Sequence, residues 1–197
     1  MNDAGTYRVL SGPDEGGVRL LDRETYEPLE LASGGHDARV ADLRPGYLVA
    51  ADLDWSSADP TVESLTVKRP TLYTFVDEVD PMFELARETW QETQASGDAM
   101  NARQTHNTDG AVNGVLYVFA ESGERGRFEE FRDGSRPIEP LVDRVNDRED
   151  SEPREVFVLR SPAGEFTAVT ITLRKGEQFA ETLRDTYDRP APDEPLV

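Results

Sequence analysis

Hydrophobic and polar positions alternate in short runs along most of this chain, and one run stands apart. Val115–Ala120 reads Val-Leu-Tyr-Val-Phe-Ala without a polar break. It is too short to cross a membrane and too rich in β-branched and aromatic residues for a comfortable helix. It therefore predicts a strand buried on both faces. Upstream, Thr6–Leu10, Val18–Leu21, Tyr26–Leu31, Tyr47–Asp54 and Thr61–Val67 are short strand patterns. Turn clusters at Ser11–Gly17, Ser33–Gly35 and Asp42–Gly46 divide them. Pro28 marks the third of these strands as an edge or a bulge.

After Arg69-Pro70 the period changes. Thr71–Val76 is a strand. Asp80-Pro81 then offers an N-cap and a proline at the first helical position, with Met82, Leu85, Ala86 and Trp90 at helical spacing to about Ala95. Residues 101–113 read as a polar loop entering the Val115–Ala120 strand. Ser122-Gly123 reads as a turn, and Glu124–Arg132 as a helix capped by Gly134. Ile138, Leu141, Val142 and Val145 form one face of another helix. Glu155–Arg160 and Glu165–Arg174 form a hairpin around Ser161–Gly164, and Gly176–Tyr187 is a last helix.

The expected fold class is α+β. Residues 1–70 would form a small antiparallel β-barrel, OB-like or similar. Residues 71–188 would form an α/β unit with a mixed sheet, and the proline-rich 189–197 would be a disordered tail. The order of elements from residue 71 resembles a thioredoxin-like domain in topology only, with Pro153 where that fold keeps a cis-proline. The redox position reads Asp77–Met82 without cysteine, so the resemblance brings no redox activity. A split βαβ or other α+β arrangement fits the same order.

Charge changes the picture more than any motif. Of 197 residues, 40 are acidic and 21 basic, a net charge of -19, and hydrophobic content is 37%. The excess is spread: residues 1–70 carry 13 acidic against 7 basic residues, and residues 71–197 carry 27 against 14. An even spread indicates an acidic surface suited to high salt rather than an interaction tail. At molar salt the Debye length falls to about 3 Å and self-repulsion largely vanishes. There is no cysteine, which excludes disulfides, thiolate nucleophiles and cysteine-based metal sites. Met1–Gly5 has neither a basic nor an apolar stretch, so no signal peptide is expected, nor a membrane span. A cytoplasmic location follows as the expectation.

Four segments, Val40–Val49, Asn113–Ala120, Phe128–Arg132 and Arg154–Arg160, resemble an uncharacterised haloarchaeal protein family, a domain of unknown function. The likeness covers almost the whole chain. The resemblance implies a salt-in cytoplasm, and because its motifs are hydrophobic and structural it brings no catalytic residues.

Candidate chemistry is sparse. The 101–113 segment carries Asn101, Arg103, His106, Asn107, Asp109 and Asn113 beside the most apolar strand, a place where sites are built. Arg103 suits an anion and His106 a proton transfer or a ligand bond. The plain alternative is a solvated loop whose polar side chains cap themselves. His36 and His106 are the only histidines and lie in different segments, so no metal site is expected, and no cofactor motif is present. No nucleophile motif appears, and acidic pairs such as Glu129-Glu130 arise from composition. Tyr7, Tyr26, Tyr47 and Trp55 could stack on bases if the barrel bound single strands. The expectation is a non-catalytic binding or interaction module for an unknown protein partner or small ligand. The alternatives are single-stranded nucleic-acid binding through the barrel, or an enzyme using the 101–113 loop.

Overall fold

The computed structural model describes residues 2–13, 17–121, 126–150 and 152–197. The middle of the Ser11–Gly17 turn, the Ser122-Gly123 turn and the first residues of the helix expected from Glu124 lie outside the described residues. Among the described residues, two five-stranded sheets and four α-helices make up an α+β fold.

The first sheet holds β1 (Asn2–Ser11), β2 (Val18–Asp22), β3 (Pro28–Glu30), β4 (Leu48–Asp54) and β5 (Thr61–Arg69). Its order is β3-β2-β1-β4-β5 and every pairing is antiparallel. Strict alternation decides the faces. Tyr7, Val9, Leu20, Val49 and Leu53 point into one core, closed over by a short 3-10 helix at Ala38–Asp42. For the small antiparallel barrel expected from the sequence, no closure is found: among the described residues no ladder joins β3 to β5. β3 has only three residues and begins with Pro28, which has no N–H to give a ladder. The chain after β3 bridges the gap instead. Ala32 N–H donates to Pro60 O at 3.0 Å and Asp37 N–H to Val62 O at 2.7 Å. His36 clips the same place, with Val62 N–H donating to Nδ1 at 3.2 Å and Nε2 lying 2.7 Å from Ala32 O.

The second sheet holds β6 (Leu72–Val76), β7 (Met100–His106), β8 (Val112–Ala120), β9 (Glu155–Arg160) and β10 (Phe166–Thr172), in the order β6-β9-β10-β8-β7. Only β6 and β9 run parallel as neighbours. A thioredoxin-like unit would set β6 beside β8 as a parallel pair; here β9 and β10 stand between them, so that expectation is corrected. The cis peptide bond is at Asp80-Pro81 rather than before Pro153, and α1 (Glu84–Ser96) begins beyond Pro81. Helices α2 (Gly126–Asp133) and α3 (Glu139–Asn146) cover one face of this sheet, and α1 and α4 (Gln178–Thr186) the other.

The layers are therefore first sheet, α2–α3, second sheet, α1–α4. Leu10 and Leu21 on the outer face of the first sheet meet Phe128, Phe131, Ile138 and Val142 of α2–α3, which meet Tyr117, Val156, Val158 and Ile171 of the second sheet. Glu139, fully buried at the start of α3, joins the layers. Arg8 of β1 grips its carboxylate with Nε to Oε1 at 2.8 Å and Nη2 to Oε2 at 2.9 Å. Arg23 donates to Oε2 at 2.7 Å and the Tyr73 hydroxyl of β6 to Oε1 at 2.9 Å. The third donor of Arg8 goes to Gly46 O at 2.8 Å. Burial alone would raise the Glu139 pKa, but Arg8, Arg23 and the Tyr73 hydroxyl hold it below the usual carboxylate value. Gly46 has φ of 99°, and a Cβ there would sit 2.5 Å from Tyr73 N, so only glycine lets the two sheets approach this closely.

Candidate functional site

Residues 101–113 are not a loop. They form β7, a turn and the start of β8, at the edge of the second sheet. Alternation splits their side chains. Asn101, Arg103 and Thr105 pair with Val118, Leu116 and Gly114 and share the α1 face. There Arg103 is ion-paired with Glu92 and lies 4.0 Å from Glu88. His106, three positions on from Arg103, is exposed. Arg103 and His106 therefore point to opposite faces and do not converge. Asn101 Oδ1 accepts from Ala102 N–H at 2.8 Å. Asn107 Oδ1 closes the turn by accepting from Asp109 N–H at 3.0 Å and Ala111 N–H at 2.9 Å, leaving the Asp109 side chain at the exposed tip. Asn113 takes the Thr105 hydroxyl at 2.7 Å where β8 bulges.

The four aromatic candidates are also dispersed. Tyr7 and Tyr47 are buried in the core of the first sheet. The Tyr47 hydroxyl donates to Glu194 at 2.7 Å. Tyr26 and Trp55 are the exposed pair; Tyr26 follows β2, whose Asp22 aligns with Tyr7 and so with Val49 of β4. Trp55 lies six residues beyond Val49, about 20 Å along the strand direction.

The opposite face of the same edge hairpin holds a different group. Ala102 and Gln104 of β7 pair with Tyr117 and Val115 of β8, and their side chains face α3. Tyr117 is 2% exposed, yet its hydroxyl has no hydrogen-bond partner among the described residues. It lines a small cleft with Gln104, and the far wall is the end of α3 and the turn after it: Arg144, Val145 and Arg148. Val112, Val115 and Leu173 supply apolar walls, and Glu149 is the one carboxylate on the rim. Burial pushes the Tyr117 phenol above its usual value, while Arg144 and Arg148 pull it down.

Most cations of this chain are consumed by carboxylates or carbonyls. Arg8, Arg19, Arg23, Arg39 and Arg160 are in ion pairs, and Arg44 and Arg154 are bonded to backbone oxygens. Arg144 and Arg148, four residues apart and exposed, have no ion pair among the described residues. A cation at a helix C-terminus offsets the macrodipole, which accounts for one arginine here. It does not account for the Tyr117 hydroxyl opposite, which opens into the cleft. The wall is held firmly: the 1%-exposed Arg154 donates to Asn146 Oδ1 at 2.8 Å, to Asp150 O at 2.6 Å and to Leu173 O. This ties the end of α3 to the end of β10. The cleft has a volume of about 30 Å³. That holds roughly two water-sized groups, the size of a carboxylate head.

Tyr117 was legible as a core residue, but its hydroxyl was not, because strand patterning gives no register against α3. The signal in the sequence was the pair Arg144 and Arg148 flanking Val145 on an otherwise apolar helix face. Among the described residues no group of three or more His, Asp or Glu is placed to hold a metal ion. No helix among them is long and apolar enough to cross a membrane. Searches of curated proteins and of solved structures found no significant match to the chain. A family model described as a family of unknown function, DUF6663, matches residues 1–193, and the chain belongs to that family.

Proposed function

We propose that the chain is a non-catalytic binding module that receives a carboxylate-bearing group, from a small ligand or a partner, in the cleft between the edge hairpin and α3. The observation that carries this reading is the convergence of donors without acceptors: the Tyr117 hydroxyl, the Gln104 amide and the Arg144 and Arg148 guanidinium groups. A carboxylate accepts from all of them, and its charge-assisted bonds are the stronger kind. Acid–base chemistry has less support, since the cleft holds no histidine and one rim carboxylate. The working medium we propose is a salt-rich cytoplasm, of the haloarchaeal type that the acidic surface suits. Exposed arginines alone would bind weakly there. The buried phenol and apolar walls provide contacts that salt does not screen.

Calorimetric titration with hexanoate at molar KCl tests the reading. Saturable binding is expected, weakened at least tenfold in R144A/R148A and severalfold in Y117F, with melting temperatures close to the parent's. Absence of saturation, or equal binding by the double variant, would refute it.

A further inference from the structure

Residues 189–197 belong to neither sheet, yet they are seated along a groove between β6 and the core of the first sheet. Their side chains alternate. Pro192, Glu194 and Leu196 are partly buried, while Ala191, Asp193, Pro195 and Val197 are exposed. Each inward residue has its own place. Pro192 lines a cleft of about 260 Å³ with Pro45, Leu72, Tyr73 and Phe75. Glu194 is ion-paired with Lys175 and takes the Tyr47 hydroxyl at 2.7 Å. Leu196 packs against the core of the first sheet. Lys175 is one of two lysines in the chain; its Nζ donates to Pro70 O at 2.8 Å and lies 5.8 Å from the centre of the Tyr47 ring. Arg44 Nε holds the Asp193 carbonyl at 2.8 Å. An extended chain with alternate side chains in separate places, and one charge-assisted bond to fix its register, is how a receptor groove holds a peptide.

We infer that residues 189–197 are the internal occupant of a peptide-docking groove, which also takes an extended acidic segment of a protein partner with proline, glutamate and an aliphatic residue at alternate positions. The segment it displaces defines its chemistry. Lys175 and the Tyr47 hydroxyl meet the glutamate, and Lys175 exchanges one carboxylate for another. The core of the first sheet takes the aliphatic side chain, a contact that salt does not screen. Exchange breaks no strand ladder, because the internal segment is in none. Pro190, Pro192 and Pro195 keep that segment extended and lower the cost of ordering it. It leaves α4 through Asp188, whose φ of 51° turns the chain and marks the hinge. Being tethered, it competes at an effective concentration on the order of millimolar, so the closed groove excludes weak partners.

The probe is the fluorescein-labelled peptide Pro-Ala-Pro-Asp-Glu-Pro-Leu-Val, followed by anisotropy at molar KCl. E194A/L196A, whose own segment lacks two anchors, should bind it at least tenfold more tightly than the parent. Adding K175A, or replacing the probe Glu by Gln, should weaken that binding at least tenfold. Adding R144A/R148A should leave it unchanged, which separates this groove from the carboxylate cleft. In the parent, saturating probe should move the Leu196 methyl signals to random-coil positions. The inference is overturned if E194A/L196A binds no more tightly than the parent, if K175A makes no difference, if R144A/R148A loses the probe, or if the Leu196 signals stay fixed at saturation. A parent that sediments as a dimer dissolved by the probe would also overturn it, by making a second copy the occupant.

Discussion

Glu139 shows how one residue can hold two sheets together at high salt. Its carboxylate is out of water and receives four donors from three segments, so salt screens it little. Exposed pairs such as Arg39–Asp37 add little by comparison. A buried pair is not automatically stabilising against an apolar replacement, but removing one partner strands the other charges. Glu139→Gln leaves Arg8 uncompensated and is expected to cost about 3–5 kcal/mol, read as a fall in melting temperature. The pH dependence follows from the lowered Glu139 pKa. Stability from this group is present above the unfolded value of about 4.3 and is lost as pH falls through the folded value. The gap between parent and variant should therefore be constant near neutrality and narrow in acid. A gap unchanged down to pH 3 would mean that Glu139 is not the ion that joins the layers.

At the level of elements, the apolar β8 lies where its sequence pattern puts it, between β10 and β7. Leu116 and Val118 face α1–α4, and Tyr117 faces α2–α3. Val118→Asp places an unpaired charge in that interior and should destabilise by several kcal/mol. Parent-like melting at molar KCl would contradict the two-faced burial. The five strands of the first sheet and the four helices were also legible, because period and turn residues agree there. β7 was not: Met-Asn-Ala-Arg-Gln-Thr-His is polar at five of its seven positions, and only its pairing with β8 makes it a strand. Edge strands carry such polar residues because one side has no neighbour. The site was hidden for the same reason. It needs Gln104 from β7 opposite Arg144 from α3, and no local pattern states which face of a hairpin meets which helix.

For the molecule as a whole, the surface carries the charge while, among the described residues, three apolar clusters and the buried network around Glu139 hold the layers. Folding should therefore strengthen with salt. Circular dichroism and thermal melting across a KCl series are expected to show a rising transition temperature toward molar salt, and an equal transition in dilute buffer would contradict the charge argument. The layering leaves the edge hairpin and α3 facing each other across the small cleft, with Tyr117 as its floor. The most direct test of that cleft reads the phenol itself. Tyr117 labelled at ring Cζ is followed by carbon NMR during addition of hexanoate at molar KCl, with pH held near neutral. A saturable shift of the Tyr117 signal that R144A/R148A loses is expected; a Tyr117 signal that stays fixed while hexanoate reaches saturating excess would rule the carboxylate cleft out.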